Sequence, residues 1–185
     1  MLTDKQLNRA IYSIWDFQQA LSALTFILEE FDFEGEYNVV ELRRYRSYEA
    51  NLIISMARPL EPTRSGSTIS FKALGIKLDE KQKALCARVL DLRRKLIAHS
   101  DEDEMHFRVD IHTSSLDGKH DDFKWPIFKF MEWLHLSEAE LMELETFLRW
   151  LTSRLSEFFV KLAKEEPERL QKYKIPTSLM ERGAS

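Results

Sequence analysis

Leu141, Leu144, Leu148, Leu151, Leu155, Phe158 and Leu162 recur at steps of three and four, and a chain with such a stripe must bury it against other elements. Ser137 and Glu140 stand where a capping box would start this helix, and Pro167 stops it. The pattern is not confined to one place. Thr3 and Gln6 make another capping box, after which Leu7, Ile11, Ile14, Leu21, Leu24 and Leu28 predict a long helix over about residues 4–31. Gly35 breaks it. A second run reaches about Ala57, with Tyr45, Tyr48, Leu52 and Met56 on one side and Arg43 and Arg46 on another.

Pro59 and Pro62 end the second helix, and RPLEPTRSGSTIS reads as loop because two prolines and a glycine interrupt any hydrogen-bond ladder. From Asp79 the helical spacing returns with Leu85, Val89, Leu92 and Leu96, a narrow stripe that carries on to His99. Met105, Phe107, Val109 and Ile111 then alternate with His106, Arg108, Asp110 and His112, the period of a strand with one wet face. Asp117-Gly118 suits a tight turn, and KHDDFKW supplies a returning strand. The expected fold class is all-α: an antiparallel up-and-down helical bundle, with a small β-hairpin inserted between the third and fourth long helices. Residues 1–166 form one domain in this reading, and 167–185 a tail that is a short helix or frayed.

Hydrophobic residues make up 44% of the 185, enough for one core. Lys and Arg number 27 against 31 Asp and Glu, a net charge of −4, which excludes a generally basic nucleic-acid binder and confines any RNA contact to a local patch. Arg43, Arg46, Arg58 and Arg64 are the candidates for that patch, although solvated helix faces account for most such residues. The single cysteine, Cys86, falls within a helical pattern and suits a reducing compartment. No basic-then-apolar leader opens the sequence and no apolar run is long enough to span a bilayer, so a soluble, cytoplasmic protein without a membrane partner is expected. Trp15, Trp125, Trp133 and Trp150 are read as core.

The segment DLRRKLIAHSD, residues 91–101, is harder to explain by packing alone. On a helical wheel of about 100° per residue, with Leu85 at zero, Arg93 falls near +80° on a shoulder of the stripe. Arg94 falls near 180°, away from the core, and His99 near −40° at the stripe's other edge. Arg93 and His99 are then about 9 Å apart along the axis, a gap that a polynucleotide phosphate can bridge. Structure offers its own account. A histidine at a helix C-terminus is favoured by the dipole, and arginines on a helix shoulder snorkel or pair with acids.

LRRKLIAHSD resembles the signature of the HEPN superfamily (higher eukaryotes and prokaryotes nucleotide-binding): an arginine, four to six residues, then a histidine. Abortive-infection-type members often read Leu-Arg-Asn-Lys-hydrophobic-hydrophobic-Ala-His-Ser-Asp. Arg93 matches the family arginine and His99 the histidine, and Ala98, Ser100 and Asp101 agree. LRRYRSYEANLIISMARPLEPTRSG is similar to the second helix and following loop of those proteins, so the likeness covers about residues 36–104. One position departs: active members commonly carry Asn, Asp or His after the arginine, where this chain has Arg94.

The resemblance implies a metal-independent endoribonuclease, a homodimer whose two motif helices face each other across a shared cleft. It implies His99 for proton transfer and Arg93 for holding phosphate, with Arg94, Lys95, Ser100 and Asp101 in support. An imidazole titrating near neutrality can exchange protons with a ribose 2′-OH or a leaving oxygen, and a guanidinium can stabilise the charge growing on the phosphate. The expected product is a 2′,3′-cyclic phosphate, and neither cofactor nor metal is required. Toxin–antitoxin or phage-defence settings are implied too, with RNA as substrate and an antitoxin or another defence protein as partner. A second reading is a non-catalytic HEPN-like dimer that binds RNA, nucleotide or protein. A third is an interaction bundle with His99 buried.

HSDEDEMH offers His99, Asp101, Asp103 and His106 to a metal, but the spacing matches no closed site and a solvated helix exit accounts for the acids. No glycine-rich phosphate loop or GxSxG elbow is present, which leaves nucleotide hydrolysis and acyl transfer without a motif.

Overall fold

Every long helix opens on a reciprocal cap. In the computed structural model, which describes residues 2–62, 68–98, 107–114, 123–130 and 133–173, α1 spans Asp4–Glu30, α2 Val39–Ala57, α3 Glu80–Leu92 and α4 Glu138–Glu165. Thr3 with Gln6 and Ser137 with Glu140 cap α1 and α4 as expected from the sequence. Asn38 with Glu41 and Asp79 with Gln82 do the same for α2 and α3. In each, a side-chain oxygen accepts the N–H three residues on and the returning Gln or Glu accepts the cap's own N–H, so two orphan donors are satisfied together. A last short helix, α5, covers Pro167–Gln171.

Helix α1 lies in the middle of the helical packing and runs antiparallel to two neighbours. Against α2, Glu30 meets Arg44 at 2.8 Å and Asp16 meets Arg58 at 3.5 Å, so rising numbers on one helix face falling numbers on the other. Against the far end of the chain, Asp4 meets Lys172 at 2.9 Å and the Leu2 carbonyl accepts from Arg169 at 2.6 Å, which sets the start of α1 beside the end of α4. Leu7, Phe17, Leu24, Ile27, Leu52, Met56, Leu141, Leu144, Leu148 and Leu155 are buried between them. At the turn from α1 to α2, Phe31 contacts Tyr37, Tyr45 and Trp133 at ring separations of 4.8–5.3 Å and ties the chain before α4 to that turn. Helix α3 lies against α2 and reaches α4 through Lys81–Glu143 at 2.7 Å and Arg88–Glu140 at 3.0 Å.

Between α3 and α4 the strands β1, Phe107–Ser114, and β2, Phe123–Phe130, pair antiparallel with Phe107 opposite Phe130 and Ser114 opposite Phe123. The first strand is where alternation placed it. The second begins at the end of KHDDFKW and runs past it, because Phe123, Trp125 and Ile127 continue the alternation. Asp117-Gly118 lies outside the described residues. A larger correction concerns Trp15, which is 62% exposed on the outer side of α1 and no part of the core. Trp133 is also partly open, whereas Trp150 packs on the core from its edge. No described helix is long and apolar enough to cross a membrane.

Candidate functional site

Leu85, Val89 and Leu92 are buried as the stripe requires, and this anchors the segment that follows. After Leu92 the winding changes: Arg93–Ala98 is π-helical. A π turn is wider than an α turn and occurs mostly as single turns within α-helices, frequently at functional sites. Its wider turn moves positions off a 100° wheel only gradually after Leu92. The wheel sends Arg93 and Arg94 to different sides, yet both guanidiniums reach one carboxylate, Glu61. Arg93 Nη1 donates to Oε2 in a short contact, and Arg94 Nε lies 3.6 Å from Oε1. The wheel is right in one respect, since the Arg94 side chain is the more exposed, 64% against 34%.

Glu61 comes from the loop after α2. Its N–H donates to the Ala57 carbonyl at 3.1 Å, and Ile69 N–H donates to the Pro59 carbonyl at 2.8 Å, so backbone bonds fix the loop on both sides of it. A carboxylate gripped by two guanidiniums is the geometry in which arginines also take the non-bridging oxygens of a phosphodiester. Lys95, one residue on, points back to Asp91 at 3.3 Å. His99, Ser100, Asp101 and Arg64 lie outside the described residues, as do Asp103 and His106 of the metal reading. Among the described residues, no cluster of three or more potential metal ligands occurs.

The remaining arginines of the expected RNA patch do not share one open surface. Arg43 is exposed on α2. Arg46 donates through Nη2 to Nε2 of His135 at 2.7 Å, which requires that ring nitrogen to be unprotonated. Arg58 pairs with Asp16 at the other end of α2. Burial raises the Asp16 carboxyl above its ordinary value although Arg58 and Arg9 pull it down. Arg9 is lowered in turn by its own burial, and its Nε and Nη2 find no hydrogen-bond partner among the described residues.

Sequence reasoning missed both acids that organise this part of the molecule, Glu61 and Glu49. Glu49 is buried in α2 and its Oε1 accepts the N–H groups of His135 and Leu136 at 2.7 and 2.8 Å, just before the cap of α4. Burial pushes its carboxyl up to about 7, against the two backbone bonds and the Arg46 and Arg88 charges. Arg88 bonds the His135 carbonyl at 3.1 Å as well as Glu140. These groups join α2, α3 and the start of α4 and are packing polar groups, not an open cleft. Glu49 has one signal in the sequence: an acid on the Tyr45, Leu52, Met56 side of the helix must find donors. Glu61, between two prolines in a loop, has none.

A groove of about 460 Å³ lies between the Leu74–Ile76 turn and the last turns of α4, lined by Arg154, Glu157 and Lys161 among others. Arg93 and Arg94 do not line it. Set against protein-family models, curated proteins and solved structures, the chain matches none.

Proposed function

We propose that this chain is a metal-independent endoribonuclease of HEPN type, using Arg93 to hold the scissile phosphate and His99 to move protons. The observation that carries the reading is the convergence of Arg93 and Arg94 on one anion at a π-helical turn. In the reaction, His99 takes the proton of a ribose 2′-OH, O2′ attacks phosphorus, and the P–O5′ bond breaks as O5′ takes that proton back from the His99 imidazolium, giving a 2′,3′-cyclic phosphate and a 5′-hydroxyl. Arg93 and Arg94 neutralise the charge that gathers on the non-bridging oxygens, the place that Glu61 fills in the free protein. A homodimer that joins two such turns, in a toxin or phage-defence setting, is part of this proposal and rests on the motif resemblance.

The same geometry also favours a second reading, a module that binds RNA or nucleotide without cutting it. Arg94 replaces the small polar residue beside the motif arginine, and Glu61 already satisfies Arg93. Incubation of the purified protein with RNA in EDTA separates the two. Cleavage to cyclic phosphate ends is expected from the wild type, and Arg93→Ala and His99→Ala are expected to lose at least about 100-fold of it. Cleavage that survives His99→Ala ends the nuclease reading. An inert wild type whose RNA affinity falls in Arg93→Ala establishes the binding module instead.

A further inference from the structure

The hairpin stands apart from the helical packing of the described molecule. Among the described residues it is a two-stranded sheet with no further strand on either outer edge, and no described helix lays a face on it. Val109, Ile111 and Phe128, on one face of the ribbon, are all exposed, Ile111 by 71%. A two-stranded ribbon is at best marginally stable in water, and three or more strands with an apolar face are needed for independent stability. An open apolar edge is also a template for another strand.

The residues of the ribbon decide which edge is available. Pro126 lies opposite Ile111 in the middle of β2. A proline has no N–H to give a ladder and is tolerated where its nitrogen faces out. Antiparallel pairs alternate between hydrogen-bonded and non-bonded, so the Ile111–Pro126 pair is a non-bonded one. Two consequences follow for the edges. The outer edge of β2 lacks a donor at its centre, and on β1 the N–H and C=O groups of Phe107, Val109, Ile111 and Thr113 all point outward.

We propose that β1 pairs through this edge with β1 of a second copy, antiparallel about a two-fold axis at Ile111, to make a continuous four-stranded sheet. The register is fixed by elimination. An odd offset would set the Val109 and Ile111 side of one β1 beside the Asp110 and His112 side of the other. Centring on Asp110 would place that carboxylate against its own copy, a like-charge pair. Centring on Val109 shortens the overlap to residues 107–111, whereas centring on Ile111 pairs residues 108–114. The Ile111 register alone among these combines the long overlap with cross-strand pairs of matched character. Ile111 meets Ile111, Val109 meets Thr113, and Asp110 on each strand stands opposite His112 of the other. The most exposed apolar side chain of the ribbon is thereby covered by its own image.

An edge of this length joined by about six main-chain hydrogen bonds is a small interface, and a Kd on the order of 10–100 µM is expected. Sedimentation velocity on the full chain, from about 1 to 300 µM, reads it. Ile111→Lys and Ile111→Glu each place like charges on the axis and should weaken self-association by at least about tenfold. Because Ile111 is exposed, circular dichroism and Tm of both variants should match the wild type. Mixed in equal amounts, the two variants should associate again, with Lys facing Glu, and only a two-fold axis at this residue predicts such a rescue. A wild type that stays monomeric throughout overturns the proposal and leaves the edge to a strand from a different protein. Variants that dimerise like the wild type, or a mixture that fails to recover, overturn the axis. Self-association that both Ile111 variants leave unchanged belongs to the dimer proposed at the motif turns, so the Ile111-dependent step alone tests the β1 edge, and RNA cleavage is a separate readout.

Discussion

Glu49 gives the most direct quantitative test of the packing between α2 and α4. Its side chain is buried, both of its backbone partners lie within 2.8 Å, and burial pushes the carboxyl from an ordinary 4.5 up to about 7. The folded state therefore keeps a proton that the unfolded chain has already lost. A raised carboxyl contributes stability that is fully present below about 4.5 and is lost as pH rises towards 7, after which no more is lost. At about 1.4 kcal/mol per pH unit the whole interval is worth about 3 kcal/mol, which in a chain of this length corresponds to about 6–12 °C in Tm. Glu49→Gln retains an oxygen for the two N–H donors and cannot ionise. Denaturant unfolding of both proteins at half-unit steps from pH 4.5 to 8 isolates Glu49, because other titrating groups such as Asp16 cancel in the difference. Wild type minus variant should fall by about 3 kcal/mol between pH 4.5 and 7 and then level off. A difference that stays flat, or rises with pH, would refute the reasoning and mean that the backbone N–H groups with Arg46 and Arg88 outweigh the cost of burying the charge.

Other residues give shorter tests. Burial pushes the Cys86 thiol from 9.0 up to about 11, so at pH 8 the native protein should carry about 100-fold less thiolate there and react with a disulfide reagent at least about tenfold more slowly than an ordinary thiol, and unfolding should remove the difference. Gly75 has φ of +72°, with nothing within 4 Å of an added Cβ, so Gly75→Ala should cost about 1 kcal/mol through the backbone alone, read as a shift in the denaturant midpoint at unchanged m-value. Leu92 is buried at the foot of the π turn, and Leu92→Ala should destabilise by about 2–5 kcal/mol in the same assay. Glu61→Gln removes the anion between Arg93 and Arg94 and should tighten RNA binding several-fold at low salt, by fluorescence anisotropy; unchanged or weaker binding would mean that phosphate does not compete for those guanidiniums.

The helices were legible because their information is local. Thr3 with Gln6 and Ser137 with Glu140 announce two helix starts outright, and the stripe from Leu141 to Leu162 is buried at nearly every position named. Asn38 with Glu41 and Asp79 with Gln82 obey the same chemistry, with an Asx oxygen in place of a hydroxyl. What could not be read was whatever depends on a distant partner. Trp15 has the composition of a core residue, but only the placement of α2 and α4 on the opposite side of α1 decides that it faces out. The π winding after Leu92 leaves no mark in Arg-Arg-Lys, and neither does the reach of Arg94 to a carboxylate 33 positions earlier. Glu61 itself is one acid in a proline-bounded loop until that contact exists.

Glu61 changes what the motif can do in the free protein. Two guanidiniums on one carboxylate leave the cluster with a surplus of one positive charge, and the more exposed of the two, Arg94, sits farther from Glu61 than Arg93 does. An isolated nucleotide meets a site whose best donors are already engaged, in a protein whose net charge of −4 repels it. A polynucleotide is different, because neighbouring phosphates raise the local anion concentration and can take Arg94 first, with little desolvation, before competing for Arg93. Under the proposed function, Arg94 would do what a small polar residue could not: let the strand exchange with Glu61 one guanidinium at a time. Binding should therefore depend on RNA length more steeply than on base sequence, and high salt should weaken it chiefly through the exposed arginine.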